Sequence, residues 1–361
     1  MLVIARDAKR MTQEDVANAL GVSQALVSKW DNGIAVPPDD TAQGLAKLLG
    51  VRPAFFEVEC GRTPALLSEF YHRSLTSAPR SEVKAAHARC RIYDIQIGRL
   101  LDMGEIPTDR IPALTVTDTD RNTGTFLRRM EDAASKVRSD LGIQRGPIEN
   151  LTTAIESGGG IVIDQDLEVD ELDALCRWIP GLPKVFFVNG RKPADRVRFS
   201  LAHELGHTVL HFGTQTPQRA AEDEAQAFAS AFLMPASDFA HDVRSDLRLS
   251  DLAQLKRKWR VSMQAIAHRA HDLGLITKTR FQSIYVDFSR KKWRKEEPVI
   301  VAGETPTAFR YLVKQALSKG LSVGELSEIL FVGEDRIEEL VRDLESPTWE
   351  SSGVRLRLAR S

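Results

Sequence analysis

Apolar residues recur at helical spacing along most of the chain. Near its start, Thr12 can cap a helix in which Val16 and Leu20 share one face, and Gly21 ends that segment. Ser23 can cap the next helix, which ends before Gly33. Another apolar-periodic segment follows at residues 41–49. The pattern predicts a small bundle of short helices over residues 1–58.

Residues 158–188 show a different pattern. A glycine turn at residues 158–160 leads into the apolar run Ile161–Ile163, and two further runs, 173–178 and 184–188, are separated by a Pro-Gly-Leu-Pro turn. Short apolar runs bounded by glycine and proline are typical of buried strands. The helical pattern resumes near residue 193 and breaks again near 289–306. The predicted fold class is mainly α with a small β-sheet (α+β).

The 361 residues exceed what one hydrophobic core usually serves, so several domains are expected. We predict a helical domain at 1–58, a helical connector and linker at 59–124, a domain holding the strands at 125–240, and a helical region at 241–361. Residues 104–124 are rich in proline, threonine and aspartate and therefore favour a linker. No internal repeat is evident.

Composition narrows the class of protein. Hydrophobic residues make up 42% and charged residues 27%, as in ordinary globular proteins. No apolar run reaches the ~18 residues of a membrane helix, so no membrane partner is expected. The first charged residues come too early for a secretory signal, and three scattered cysteines form no disulfide framework, so a cytoplasmic location is expected. The formal net charge of −1 means that nucleic-acid binding must rest on local motifs.

The strongest chemical signal is the segment His203-Glu204-Leu205-Gly206-His207. Histidines four residues apart lie on one helix face, so both imidazoles can reach one ion. Glu204 can take a proton from an attacking water, whose pKa Zn²⁺ lowers toward ~7. A buried helix with structural histidines is the alternative, but burying these groups together is costly without a partner. The pattern predicts Zn²⁺ as cofactor, His203 and His207 as ligands and Glu204 as catalytic base.

A catalytic zinc usually has three protein ligands. Leu210 and Gly213 exclude a third histidine in an extended H-x-x-G-x-x-H pattern. The next carboxylates lie in the helical segment that begins near Glu222. Glu224 is the expected third ligand because it shares a face with Phe228 that would pack on the first helix, and Glu222 is the alternative. Acidic residues at a helix start also occur without any ligand.

These motifs resemble the ImmA/IrrE family of metallopeptidases. The resemblance rests on residues 202–207, on the segment Glu222-x-Glu224-Ala225-x-x-Phe228-Ala229, and on residues 233–235, and it extends over about 125–240. It implies a zinc-dependent endopeptidase that cleaves DNA-binding repressors, with zinc on His203, His207 and Glu224 and with Glu204 as base. Gln226 stands where the family often has asparagine.

Residues 1–58 resemble an XRE/Cro-type helix-turn-helix domain, through Met11-Thr12-Gln13-Glu14-Asp15-Val16-Ala17, Gly21-Val22-Ser23 and Val27-Ser28-Lys29-Trp30. In that geometry the second helix of the pair enters the major groove of double-stranded operator DNA, and such domains often pair as homodimers. Residues 1–35 hold four basic and four acidic side chains, which predicts weak phosphate attraction. The expected DNA contacts are Gln13, Gln24, Ala25, Ser28 and Lys29.

Two interpretations of the whole chain follow. The first is a DNA-binding regulator whose zinc endopeptidase cleaves a repressor or another regulatory protein in response to stress or a phage-related signal. The second is a non-proteolytic regulator, or an antitoxin-like DNA-binding protein, whose peptidase-like domain senses a metal or small ligand. Glu204 favours the first, because a sensor does not need it. The basic run Arg290–Lys295 can contact nucleic acid or acidic protein, but Glu296 and Glu297 follow it, and such runs are usually solvated.

Overall fold

The computed structural model describes residues 1–58, 79–114, 125–166, 168–169, 172–179, 181–211, 216–342, 344 and 355–356. Parts of the predicted connector and linker, 59–78 and 115–124, lie outside these ranges. The predicted α+β class is confirmed. The helices are α1 (Leu2–Ala8), α2 (Gln13–Leu20), α3 (Gln24–Asp31), α4 (Asp39–Leu49), α5 (Arg80–Leu101), α6 (Phe126–Asp140), α7 (Leu151–Ser157), α8 (Ala194–Leu210), α9 (Gln218–Leu233), α10 (Ala236–Phe239), α11 (Leu249–Trp259), α12 (Met263–Asp272), α13 (Lys278–Arg290), α14 (Ala308–Ser318), α15 (Val323–Leu330) and α16 (Glu334–Val341). The strands are β1 (Ile106–Pro107), β2 (Ile161–Asp164), β3 (Ala174–Arg177), β4 (Val185–Val188) and β5 (Arg355–Leu356).

Helix α2 begins and ends as its sequence predicts. Thr12 Oγ1 accepts a hydrogen bond from the backbone N–H of Asp15, and the Asp15 carboxylate accepts one from the N–H of Thr12. Gly21 ends the helix with φ of 66°, a left-handed conformation that glycine adopts without cost. Ser23 then caps α3. Local capping therefore accounts for the helix-turn-helix geometry of α2 and α3.

A three-stranded sheet lies at the centre of the chain, with the order β2-β4-β3. Strand β4 pairs in parallel with β2 and antiparallel with β3, which is therefore an edge strand. Because successive side chains of a strand point to opposite faces, the sheet serves two cores. Phe186 faces the core that contains α8 and α9, whereas Phe187 faces the core that contains α5 and α14. Burial on both faces explains the uninterrupted apolar runs.

Part of the predicted linker is packed rather than free. Ile106 and Ile111 are buried. Lys184 forms an ion pair with Asp109 and donates a hydrogen bond to the carbonyl of Ile111, and the N–H of Leu114 donates to the carbonyl of Val209. Residues 106–114 therefore belong to the folded region around the sheet. The sequence suggested a linker because the two isoleucines stand isolated in a polar segment, whereas in the structure they pack against residues distant in sequence.

The C-terminal helices repeat the plan of α2 and α3. Ser322 and Glu325 form a capping box at the start of α15, which ends at Phe331 in the left-handed region with φ of 60°. The N–H of Val332 donates to the carbonyl of Ser327, just as that of Val22 donates to Ala17. An internal structural repeat is thus present although the sequence does not reveal one, because the capping box of the first helix and the left-handed turn are retained while most residue types differ. The side-chain cap of the second helix is not retained, since Gly333 stands where Ser23 caps α3.

The repeated unit differs from the first in the charge of its second helix. Helix α16 carries exposed carboxylates where α3 carries its expected DNA contacts, so it would repel phosphate. Those carboxylates are Glu334, Asp335, Glu338 and Glu339, at the positions of Gln24, Ala25, Ser28 and Lys29. The second unit packs against the N-terminal helices, since Phe331 joins their hydrophobic core and its ring meets that of Phe55 edge to face with centroids 5.3 Å apart.

The hydrophobic cores do not follow the four predicted segments closely. The largest core extends from Ile111 to Phe288 and so crosses the boundary expected at residue 240. A second core joins the sheet and α5 to α14, α15 and α16. The division into domains at 1–58, 59–124, 125–240 and 241–361 therefore stays a prediction. Among the described residues, no helix combines the length and apolar character needed to cross a membrane.

Candidate metal centre

Helices α8 and α9 approach each other closely where both carry small residues. A Cβ atom added to Gly206 would lie 2.9 Å from Cδ1 of Phe228 and 3.2 Å from Cα of Ala225. Only glycine leaves room for this approach, because real Cβ contacts are not that short. The close packing brings the first turns of α9 beside the histidines of α8.

Three side chains of these helices converge on one point. Nε2 of His203 and Nε2 of His207 lie 3.0 Å apart. Oε2 of Glu222 lies 3.4 Å from Nε2 of His203, and Oε1 of Glu222 lies 3.8 Å from Nε2 of His207. Ligand atoms of a tetrahedral zinc are about 3.3–3.6 Å apart, given metal bonds of about 2.0–2.2 Å. The donor set of two imidazoles and one carboxylate, within 4.8 Å of one another, therefore fits zinc.

Glu204 lies beside this cluster and is buried. Its Oε2 accepts a hydrogen bond of 3.2 Å from the backbone N–H of Cys176 on edge strand β3. Burial and the nearby Glu222 carboxylate raise the pKa of Glu204 well above its ordinary value, and the N–H of Cys176 opposes that shift. Two carboxylates so placed repel each other when ionised. A bound cation would relieve that repulsion, which is a second way in which the residues fit a metal.

Glu224 does not join the three converging side chains. Its Oε2 lies 2.9 Å from Nε2 of His211, which ends α8, and Nδ1 of His211 lies 3.0 Å from Nδ1 of His207. Glu222, the alternative in the sequence, is the carboxylate that reaches both histidines. The two glutamates point to different sides because residues two apart on a helix are rotated by about 200°. The structure thus places Glu222, and not Glu224, beside His203 and His207.

Sequence reasoning missed the contributions of Cys176 and His211. The spacing did contain a signal for His211, since it lies four residues after His207, as His207 does after His203. Helical spacing places all three histidines on one face. Nothing in the sequence pointed to Cys176, because its contribution is a backbone N–H that tertiary packing brings to Glu204.

The expected DNA contacts lie together on α2 and α3. Gln24 Nε2 donates to Gln13 Oε1 over 2.6 Å, and Gln13 Nε2 donates to Asp31 Oδ2 over 2.8 Å. Gln24, Ala25 and Lys29 are exposed, whereas Gln13 and Ser28 are partly buried. The hydrogen bonds hold the side chains of Gln13, at the start of α2, and Gln24, at the start of α3, next to each other. In this class of domain the start of the second helix contacts the base edges. The basic run Arg290–Lys295, at the end of α13, is exposed apart from the half-buried Trp293.

Known protein families match both the N-terminal helices and the region that contains the candidate metal centre. Residues 2–56 match the helix-turn-helix family, and residues 159–271 match the IrrE N-terminal-like domain of the M78 peptidase family. No match is found among curated proteins. The second match spans the three-stranded sheet, His203, Glu204, His207 and both glutamates of α9. The chain therefore joins a helix-turn-helix domain to a metallopeptidase-like domain of the IrrE N-terminal-like type.

Proposed function

We propose that this protein is a cytoplasmic DNA-binding transcription regulator that is also a zinc-dependent endopeptidase. Its substrate on this proposal is a repressor or another regulatory protein that acts at the same DNA. The observation that carries the proposal is the convergence of His203, His207 and Glu222 beside the buried carboxylate of Glu204. A metal sensor would need the first three groups but would gain nothing from Glu204.

Each residue has a defined part in peptide hydrolysis. His203, His207 and Glu222 would hold Zn²⁺, which when bound lowers the pKa of water and polarises a carbonyl group. Glu204 accepts a proton from the attacking water and passes it to the amine that leaves, as a general base and then a general acid. The N–H of Cys176 fixes Oε2 of Glu204, so the carboxylate stays in one orientation through both transfers.

The helix-turn-helix domain would bring the peptidase to its substrate. A repressor bound at a neighbouring operator is at high local concentration for a second protein bound to the same DNA. On this proposal Gln24 and Lys29, two exposed polar side chains of α3, contact bases and phosphate. Homodimer formation on symmetric half-sites belongs to the same proposal.

The first test of the proposal is zinc content, followed by cleavage. The purified protein should contain about one zinc per chain, and His203→Ala should contain none. A denatured bacterial lysate digest then serves as a peptide library, and mass spectrometry counts newly formed termini. Glu204→Gln should keep the zinc and lose the new termini, because it keeps all three ligands and removes the base.

Two results would contradict the proposal. A protein that binds no zinc even when zinc is supplied would lack the proposed metal site. The second result is a wild-type protein that binds zinc but cleaves no better than Glu204→Gln. If this holds both for the peptide library and for repressors encoded by neighbouring genes, it would support the metal sensor instead. DNA binding is measured separately, by selection of preferred sequences from a random duplex pool.

A further inference from the structure

His211 and Glu224, which we call the outer pair, extend the metal cluster by two hydrogen bonds. Nδ1 of His207 meets Nδ1 of His211 at 3.0 Å, and Nε2 of His211 meets Oε2 of Glu224 at 2.9 Å. All three side chains are buried, with at most 4% of their surface exposed. Bulk water therefore does not compete for these bonds, and a continuous chain runs from the cluster to a carboxylate of α9.

When a metal is bound to His207, only one placement of the ring protons allows both hydrogen bonds of the outer pair. Nε2 of His207 faces His203 and Glu222, so a metal takes its lone pair and the ring proton lies on Nδ1. For this N–H to form a hydrogen bond with His211, Nδ1 of His211 must be unprotonated and act as the acceptor. The proton of His211 then lies on Nε2, where Glu224 accepts it. Both ring N–H groups in this row of hydrogen bonds thus have an acceptor, and the tautomers of His207 and His211 are defined.

We infer that the outer pair positions His207 for metal binding, and this inference rests on the proposed zinc site. A carboxylate acting through an imidazole holds the ligand ring in place and makes its metal-binding nitrogen more basic. Oε1 of Glu224 makes no hydrogen bond to a described residue, so the carboxylate acts on the site through His211. Outer partners of metal-bound histidines typically contribute about 10–100-fold to metal affinity.

The simpler interpretation is that the outer pair only joins α8 to α9. A structural role and a positioning role differ in what they change. A purely structural pair affects the free energy of unfolding of the metal-free protein and leaves zinc affinity as it was. A positioning pair changes zinc affinity and the geometry of the bound metal even when the chain remains fully folded.

The experiment compares Glu224→Gln, Glu224→Ala and the full-length wild-type protein in zinc competition against a chelator of known affinity. Gln keeps an oxygen acceptor for His211 without the charge, so its zinc affinity should fall by about tenfold, and that of Glu224→Ala by up to about a hundredfold. Glu156→Gln is the matched control, since Glu156 is also a buried carboxylate but accepts hydrogen bonds from the start of α14. Its zinc affinity should equal that of the wild type.

A second measurement keeps the test independent of catalysis. Co²⁺ replaces Zn²⁺, and its visible absorption bands report the arrangement of the ligands. The bands should shift in Glu224→Ala and not in Glu156→Gln, while far-ultraviolet circular dichroism confirms that each variant is folded. If Glu224→Ala is unfolded, Glu224→Gln alone carries the comparison.

Three results would overturn the inference. Equal zinc affinity in the wild type and both Glu224 variants would show that the outer pair does not act on the metal, and the zinc site itself would stand. Complete loss of zinc in Glu224→Ala with full retention in Glu222→Ala would make Glu224 a ligand. A wild-type protein that binds no zinc would remove the proposed function and this inference together.

Discussion

Phe228 packs so closely on Gly206 that a Cβ atom added to the glycine would lie 2.9 Å from Cδ1 of the ring. The ring is fully buried and stacks on Phe232 with centroids 5.5 Å apart, so it cannot swing aside. This contact sets the spacing between α8, which carries His203 and His207, and α9, which carries Glu222. The approach of Glu222 to the two histidines therefore depends on a residue that bears no side chain.

Gly206→Ala should destabilise the protein by about 1–3 kcal/mol, the usual cost of overpacking a core. It should also weaken zinc binding, because the helices must separate where the ligands meet. Urea unfolding measures the first effect and chelator competition the second. Gly324→Ala is the control, since its added Cβ meets nothing nearer than an oxygen of Glu334 at 3.5 Å. Equal stability of the two variants would contradict the prediction.

Glu222→Ala should remove most of the bound zinc, because it deletes the only carboxylate that reaches both histidines among the described residues. Asp223→Ala removes the next acidic residue of α9 and should keep about one zinc per chain. Metal analysis of the two purified variants, side by side, makes the comparison. Retention of zinc by Glu222→Ala would show that the ligand set is assigned incorrectly.

Glu156 should make stability depend on pH. Burial raises its pKa to about 7, although the N–H groups of Thr307 and Ala308 at the start of α14 oppose the shift. Between pH ~4.5 and ~7 the folded protein holds a proton at Glu156 that the unfolded chain has released, so this group's contribution to stability falls as pH rises.

Glu156→Gln removes the titrating group and should abolish that part of the dependence. The measured quantity is the difference in free energy of unfolding between the variant and the wild type at pH 5 and at pH 8. The variant should gain on the wild type as pH rises. A difference that stays constant between the two pH values would mean that the carboxyl group does not titrate in this range.

Lys29 should contribute to DNA affinity through phosphate. Lys29→Ala should make the negative slope of log affinity against log salt shallower by about 0.9, the value expected for one lost phosphate contact. Lys47→Ala, which removes an exposed lysine from α4 instead, should leave the slope unchanged. Fluorescence anisotropy with a duplex selected from the random pool gives both slopes. Identical slopes for the two variants would exclude Lys29 from the interface.

The sequence by itself determined the features that depend on neighbours along the chain. The four-residue spacing of His203 and His207 places both on one helix face whatever surrounds them. Thr12 and Gly21 likewise determine where α2 begins and ends, since capping and left-handed turns are local. The strands β2, β3 and β4 were evident from short apolar runs, because a buried sheet needs apolar residues on both faces.

Only the tertiary structure decided which glutamate of α9 meets the histidines. Glu222 and Glu224 are two residues apart in the same helix, and their choice depends on how α9 is rotated against α8. The contact of Gly206 with Phe228 and Ala225 sets that rotation. Tertiary packing likewise brings the N–H of Cys176, on edge strand β3, to Glu204 of α8. The sequence could not predict this contact, because every residue except proline carries a backbone N–H. Local interactions define the elements, whereas the site is completed by contacts between residues distant in sequence.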